Sequence, residues 1–503
     1  MLDRNMMEKT SLPLPLYRAS QVRELDRIAI SEMSIPGICL MERAGCAAFN
    51  LLKSYWPHAQ RIAVLCGTGN NGGDGYVLAR LAYLAGYDVT VLQIGEITKL
   101  KGDAQTAYNM MTQVGLTTQV FAEKKLSIVD VIVDGLFGTG LDREVSGKWR
   151  EVIEAMNRCN CPKLSIDIPS GLHADTGTVL GVAVQADATM TFIGLKQGLL
   201  TGTGPDYCGE VFFDDLQVPS SIYQSVKHTA TRLDDNELLK ITLKKRLRTA
   251  HKGAFGHVLI IGGESGMSGA VRLAAEAAAR IGAGLVSVAT RSSHAALINL
   301  TRPEIMSHGV DTAEQLKPLL DKATVVAIGP GLGQSIWSRA MLEAVKQLPK
   351  PIVVDADALN LLAKTPFRFP NSILTPHPGE AARLLEKPIT NIQADRFAAV
   401  RALQIRFGGV CVLKGAGTLV VESEGQVSLC TAGNPGMACG GMGDLLTGVI
   451  AGLVAQGISP LKATKLGVCL HARAGDRAAQ DGERGLLASD LLPFIRYYAN
   501  PEL

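Results

Sequence analysis

The sequence predicts an α/β protein made of two successive units, each a mostly parallel sheet with helices on both faces. Three observations predict it. Short apolar runs recur at spacings that leave room for a crossover helix, glycine-rich turns follow them, and the series occurs twice. The chain has 503 residues, of which 47% are hydrophobic and 19% charged, so it can bury sizeable cores and wholesale disorder is excluded. At about 150 residues per domain, two to four domains are expected.

The elements follow in order. Val22, Leu25, Ile28 and Ala29 share one face of a first helix, with Ser20 as its expected cap, and Pro36 interrupts that pattern. A second helical segment starts at Leu40. Ile62 to Cys66 reads as a buried strand, and the rhythm returns at Val89 to Ile94, Val129 to Val133 and Leu164 to Ile166. A second series runs through Val258 to Ile261, Leu285 to Ala289, Val325 to Ile328, Ile352 to Val354, Ile373 to Leu374 and Val410 to Leu413. The alanine-rich stretch Ala270 to Ile281 suits a helix packed closely on a sheet. Domains of 1–220 and 221–503 are expected, with a linker or cap near 218–236, where apolar periodicity is lost between Pro219 and Asp234.

Charge and cysteine usage narrow the partners. Fifty basic and 47 acidic residues leave a net charge of +3, and the only basic patch is Lys244, Lys245, Arg246 and Arg248, which argues against a nucleic-acid partner. The ten cysteines are scattered without zinc-like spacing, and the near-pair Cys159 and Cys161 reads as packing. The start lacks a signal-peptide pattern, and the longest apolar run, near Leu445 to Leu453, is interrupted by glycine. No membrane partner and a reducing, cytoplasmic setting are expected, while a homo-oligomer is left open.

The strongest feature of the first half is Gly67-Thr68-Gly69-Asn70-Asn71-Gly72-Gly73-Asp74-Gly75, directly behind the Ile62 to Cys66 run. A strand, clustered glycine and a helix start together present amides to an anion. Gly67, Gly69 and Gly72 begin like a dinucleotide fingerprint, but no acidic ribose ligand closes the next strand. A tight structural turn is the other reading, and the polar Asn70, Asn71 and Asp74 favour a ligand over both. Asp134 and Asp167 each end a later run, and in a parallel sheet they converge on one edge with Asn71. A monovalent cation would suit oxygen ligands from Asn71, Asp134 and Ser170, leaving Asp167 for proton transfer. Strand capping is the alternative for each acid.

These segments, with Gly138 to Glu144 and Asp167-Ile168-Pro169-Ser170-Gly171, resemble the NAD(P)H-hydrate epimerase family, known by its YjeF N-terminal domain, over most of residues 10–220. The resemblance implies a Rossmann-like three-layer sandwich that interconverts the R and S forms of NADH or NADPH hydrated at nicotinamide carbon 6. It implies K+ at Asn71, Asp134 and Ser170. Substrate contacts are implied at Asn70, Asn71, Gly72, Gly73, Asp74, Gly138, Thr139, Gly140, Leu141, Asp142, Arg143, Glu144 and the catalytic Asp167.

The second half carries another cluster. Gly433-Asn434-Pro435-Gly436 precedes Gly440-Gly441-Met442-Gly443-Asp444 and an apolar helical stretch, so turn amides can stabilise phosphate charge while Asp444 faces a reacting hydroxyl. A close-packing turn with Asp444 as cap is the bland alternative. Neither a P-loop nor the protein-kinase motif set is present. Strand ends add Gly329 to Gly333, Asp355-Ala356-Asp357, Thr375 to Glu380 and Lys414 to Thr418. Scaffold roles stay open for Asp355 and Asp357, an orienting role for His377 and a salt bridge for Lys414.

Together with His251-Lys252-Gly253 and Gly262-Gly263, these stretches resemble the ribokinase-like ADP- or ATP-dependent NAD(P)H-hydrate dehydratase family over residues 229–498. The order of the two domains resembles the bacterial bifunctional repair enzymes of this class. That resemblance implies ADP contacts at Lys414, Gly415, Ala416, Gly417, Thr418 and Gly443, hydrate contacts at Ala254, Gly331, His377 and the catalytic Asp444, and Mg2+ with ADP. The implied reaction phosphorylates the carbon-6 hydroxyl and eliminates phosphate to restore NADH or NADPH, releasing AMP. Water leaves poorly from a neutral alcohol, and phosphate is the better leaving group. A small-molecule kinase joined to a nucleotide-binding domain and a noncatalytic dinucleotide sensor are the competing classes.

Overall fold

The computed structural model describes residues 12–369, 371–422 and 425–500. The chain divides into two compact units, with the boundary between Ala230 and Thr231.

In the first unit, apolar alternation is replaced by near-continuous Val, Ile and Leu because both sheet faces are covered. Its strands are β1 (Arg61–Cys66), β2 (Asp88–Gln93), β3 (Thr118–Val120), β4 (Val131–Gly135), β5 (Lys163–Ile166), β6 (Ala188–Phe192) and β7 (Glu210–Asp214). They lie in the order β3-β2-β1-β4-β5-β6-β7 and every neighbouring pair is parallel. The order reverses between β1 and β4, the place where ligands enter doubly wound sheets. Leu65 of β1 registers with Asp134 of β4, and Asp134 with Ser165 of β5.

The first helix spans Ala19–Ser31 and buries Ala19, Val22, Leu25, Ile28 and Ala29 against the core. Arg18, not Ser20, holds its N-cap position, which places Ser20 inside the helix. The next helix starts at Gly37, directly after Pro36.

The second unit contains β8 (His257–Ile261), β9 (Leu285–Thr290), β10 (Met306–Gly309), β11 (Val325–Ile328), β12 (Ile352–Val354), β13 (Ser372–Leu374), β14 (Val410–Leu413), β15 (Thr418–Val421) and β16 (Val427–Cys430). Their order is β16-β15-β14-β13-β12-β11-β8-β9-β10. Strands β8 to β14 pair in parallel, and β14, β15 and β16 form an antiparallel meander at one side.

Close approach of the alanine-rich helix Ser268–Arg280 to the helix Met442–Ala455 explains two glycines. A Cβ on Gly448 would stand 2.0 Å from the Ala274 carbonyl oxygen, and one on Gly452 2.4 Å from Ile281 Cγ2. The contact fixes the helix that carries Asp444.

The stretch 218–236 is structured rather than a bare linker. It holds a short helix, Ile222–Ser225, a strand at Ala230–Arg232 and the start of the helix Asp235–Thr242. No helix among the described residues is long and apolar enough to cross a membrane.

Candidate functional site

In the first unit, β1 ends at Cys66, Gly67 to Gly69 turn the chain, and the helix Asn70–Leu84 begins at once. The glycines of this segment serve two ends. A Cβ on Gly72 would meet the Gly67 carbonyl oxygen at 2.2 Å, and one on Gly73 the Met41 sulfur at 2.5 Å, so these two permit close packing. They do not line the cavity. Gly69 has open space before it.

That space belongs to a cavity of about 860 Å3 at the carboxyl ends of the strands. Asn70, Asn71 and Asp74 line it, as do the loop Gly138, Thr139, Gly140, Leu141, Asp142, Arg143 and Glu144 and the side chain of Asp167. Phe137 and Trp149 add a tilted aromatic pair with ring centroids 4.6 Å apart. The expected convergence of Asn71 and Asp167 from distant parts of the chain is therefore present.

Behind the cavity wall lies an oxygen-rich cluster. Asp134 is fully buried. Its Oδ1 accepts from Ser170 Oγ at 2.6 Å and the Leu136 amide at 3.2 Å; its Oδ2 accepts from the Ser170 amide at 2.8 Å and Ser165 Oγ at 2.9 Å. Burial pushes the Asp134 carboxyl up, and the bonds from Ser170, Leu136 and Ser165 oppose that shift. Asn71 Nδ2 donates to the Phe137 carbonyl at 2.9 Å, while Asn71 Oδ1 is buried with no hydrogen-bond partner among the described residues.

Asp167 sits just past β5 with φ of +66°, in the left-handed region that non-glycine residues seldom occupy. Its amide donates to the Met190 carbonyl at 2.7 Å. The Lys196 ammonium donates to Asp167 Oδ1, to Thr191 Oγ1 at 3.1 Å and to the Phe192 carbonyl at 3.0 Å. Asp26, from the helix Ala19–Ser31, completes the charged group and lines the same cavity. Burial, opposed by Lys196, pushes Asp26 up to about 6. Burial and then the charges of Asp167 and Asp26 hold Asp74 well above the usual carboxylate range.

In the second unit the carboxyl ends of β11, β12, β13 and β14 supply the parts. Lys414 follows β14, and its Nζ reaches Asp355 Oδ1 at 2.8 Å and Glu380 Oε2 at 3.9 Å. Thr447 Oγ1 donates to Asp355 Oδ2 at 2.8 Å. A Cβ on Gly443 would stand 3.1 Å from Lys414 Nζ and 3.5 Å from Asp355 Oδ2, so glycine leaves room for that ion pair. Burial works against the Lys414 charge, and Asp355 and Glu380 overcome it, raising Lys414 above an ordinary lysine.

Asp444 occupies the first turn of Met442–Ala455, whose N-cap is Gly441, so it is not the cap. Burial and then Asp355, opposed by Lys414, push Asp444 up to about 7. Glu380 is raised by burial against the same lysine. His377 caps the helix Pro378–Leu385: its Nδ1 accepts from the Gly379 amide at 3.0 Å, and its own amide donates to Glu380 Oε2 at 2.8 Å. Gly415, Ala416 and Gly417 form the turn into β15, and Thr418 Oγ1 donates to the Gly415 carbonyl at 2.9 Å. Gly331 follows β11 with φ of +54°, and a Cβ there would stand 2.5 Å from the Met267 carbonyl oxygen.

One expected contact stands apart. Ala254 precedes β8, at the amino ends of the strands, and lines a different cavity of about 770 Å3 with Lys244, Arg246 and Phe255. The structure does not bring it to the edge that holds Lys414 and Asp444.

Models of two families match in turn: the one described as "YjeF-related protein N-terminus" over residues 37–198 and the one described as "NAD(P)H-hydrate dehydratase" over 258–496. A Bifunctional NAD(P)H-hydrate repair enzyme of Coxiella burnetii is 51% identical over 97% of this chain and 99% of its own. The chain belongs to the bifunctional NAD(P)H-hydrate repair enzyme family. Its Escherichia coli relative of the same description is 43% identical over 100% of this chain and 98% of its own. A solved hypothetical protein of Streptococcus mutans is 31% identical, with a TM-score of 0.50, and covers 53% of this chain and 99% of its own.

Polar residues that the sequence patterns did not single out also stand in both candidate sites. Lys196 and Asp26 stand in the first site, and Thr447 and His471 in the second. His471 is buried, which together with the Lys414 charge pushes its imidazole down to about 4, and its Nε2 has no partner among the described residues. The seven-residue spacing from Asp355-linked Thr447 back to Gly440 would have flagged Thr447 only once Asp355 was known to face it.

Proposed function

We propose that the first unit interconverts the R and S forms of NAD(P)H hydrate and that the second dehydrates the S form with ADP, giving NAD(P)H, AMP and phosphate. The observation that carries this reading is full-length similarity, at 51% identity, to a relative described as bifunctional, combined with two separate polar clusters at strand carboxyl ends.

In the first unit, Asp167 moves the proton at the carbon-6 hydroxyl, and the left-handed backbone aims its carboxylate into the cavity. The loop Gly138 to Glu144 and the amino end of the helix Asn70–Leu84 hold the dinucleotide, the latter through amides that favour phosphate. The donor set suits K+. The orphaned Asn71 Oδ1, with Ser170 Oγ and the Phe137 carbonyl nearby, offers neutral oxygens, and Asp134 supplies the single compensating charge. K+, when bound, orients these oxygens and neutralises Asp134.

In the second unit, Lys414 and the turn Gly415 to Thr418 hold the ADP phosphates, and Gly443 keeps that lysine accessible. Asp444 accepts the carbon-6 hydroxyl proton as the hydroxyl oxygen bonds to the β-phosphorus and AMP departs. Loss of the carbon-5 proton with departure of phosphate then restores the dihydronicotinamide. Mg2+, when bound with ADP, offsets phosphate charge, and it needs only one or two carboxylates because it retains waters. Gly331 and His377 border the hydrate; Ala254 is left out of that site on the ground of its position.

Incubating the protein with mixed hydrate epimers, ADP, Mg2+ and K+ tests the reading. One AMP per restored dihydronicotinamide is expected. Accumulation of a phosphorylated product would identify a kinase, and binding without turnover a sensor.

A further inference from the structure

The first site holds more titratable groups than one proton transfer uses. Asp26, Asp74 and Asp167 line one cavity with a single buried ammonium, Lys196, which is 1% exposed. Arg23, Asp103, Asp142, Arg143 and Glu144 also line it. The three N–H bonds of Lys196 are all committed, to Asp167, Thr191 and the Phe192 carbonyl, so the ammonium is held in place with one carboxylate partner. One cation compensates one anion in a site of low dielectric.

We propose that Lys196 is a positioning residue that holds the Asp167 carboxylate in place as the base, and that Asp74, on the wall of the same cavity, is the proton donor that completes an acid–base pair for epimerisation. The proposal rests on the assignment of Asp167 to that reaction. Burial and the neighbouring Asp167 and Asp26 push Asp74 upward, the direction that favours a donor, and Asp74 shares the cavity wall with Asp167.

The step balances as follows. Asp74 gives its proton to the carbon-6 hydroxyl, the C6–O bond breaks, and water leaves. The nitrogen lone pair forms the C6=N1 bond, and the resulting cation lies in a cavity whose acidic side chains outnumber its basic ones. Water adds to the opposite face of carbon 6 as the N1 pair is restored; Asp167 takes the proton from the added water. Proton exchange between the two carboxyls, through water, resets the pair. No oxidant or co-reactant is consumed.

The test uses the full-length protein and hydrate of one epimer in water enriched in oxygen-18. Wild type is expected to place solvent oxygen on carbon 6 in each turnover. Lys196→Met is expected to lower kcat for epimerisation at least about 100-fold with KM changed less than about threefold. Asp74→Asn is expected to lose a similar factor in kcat. ADP-dependent dehydration of the S form stays at the wild-type rate in both. If Lys196→Met fails to fold, Thr191→Val removes one ammonium partner and is expected to lower kcat less, again with KM little changed. Near-wild-type kcat in Lys196→Met or Asp74→Asn, a loss carried by KM rather than kcat, or retention of the original carbon-6 oxygen would overturn the proposal. Epimerisation that survives Asp167→Ala would instead remove the reading on which it rests.

Discussion

The two units each hold a lysine–aspartate pair at the sheet edge, and the pairs face opposite ways. In the first, Lys196 is 1% exposed and Asp167 16%; in the second, Asp355 is 1% exposed and Lys414 18%. In the proposed reactions the member in front meets the ligand, and the buried one behind it holds it in place. A forward carboxylate suits proton transfer at a hydroxyl, and a forward ammonium suits a phosphate. On the proposed reading the same pair gives a base in one unit and an anion clamp in the other.

The largest effect expected from breaking this contrast is at Asp444, the base that stands beside the forward lysine. Asp444→Asn should reduce ADP-dependent dehydration by about 10^3-fold, within the range for a lost general base, with epimerisation unchanged in a coupled assay. Lys414→Met comes next. It leaves Asp355 buried without its cation, and denaturant unfolding of the second transition should lose about 3–5 kcal/mol, with a raised KM for ADP. In the first unit, Asn71→Ala removes the orphaned oxygen, and K+ titration of epimerisation should show about 10- to 100-fold weaker activation.

Smaller effects sharpen the comparison. Gly448→Val pushes a side chain into the Ala274 backbone, and about 1–3 kcal/mol of stability should be lost, with dehydration affected before epimerisation. Finally, Asp444 is raised to about 7, so its ionised form is the costly one in the folded protein. That cost is full above pH 7, shrinks as pH falls toward the ordinary carboxylate range, and vanishes below it. Asp444→Asn should therefore raise Tm by a few degrees at pH 8, about 2–4 °C per kcal/mol, and leave it unchanged at pH 3. Wild-type dehydration should lose rate as pH falls through about 7.

How far the sequence revealed these sites follows from strand ends. Asp134 and Lys414 each close an unbroken apolar run and Asp167 closes Leu164-Ser165-Ile166, so the doubly wound rule points to them. Lys196 follows β6, where Thr189 and Thr191 interrupt the apolar pattern; that strand was not expected, and its end drew no attention. Asp26 lies on a helix whose apolar stripe accounts for its neighbours, which hides a polar residue aimed at a cavity. Gly72 and Gly73 show a second use of glycine behind a strand: Gly67 and Met41 occupy the space a Cβ would need, so close packing alone already requires glycine there. Ala254 was placed by resemblance alone, and no local pattern distinguishes the two edges of a sheet for a residue that precedes its strand. The meander β14 to β16 continues the sheet without a crossover helix, so the βα rhythm gives no notice of it.

The central claim is that Asp167 and Asp444 serve two reactions in series on one damaged pool. The amplitude of dihydronicotinamide absorbance recovered from an epimer mixture, with ADP, Mg2+ and K+ in excess, tests it most directly. Wild type should recover the whole pool, Asp167→Ala promptly only the S fraction, and Asp444→Asn almost none. Prompt recovery of the whole pool by Asp167→Ala, or ADP-dependent recovery at the wild-type rate by Asp444→Asn, would contradict the account.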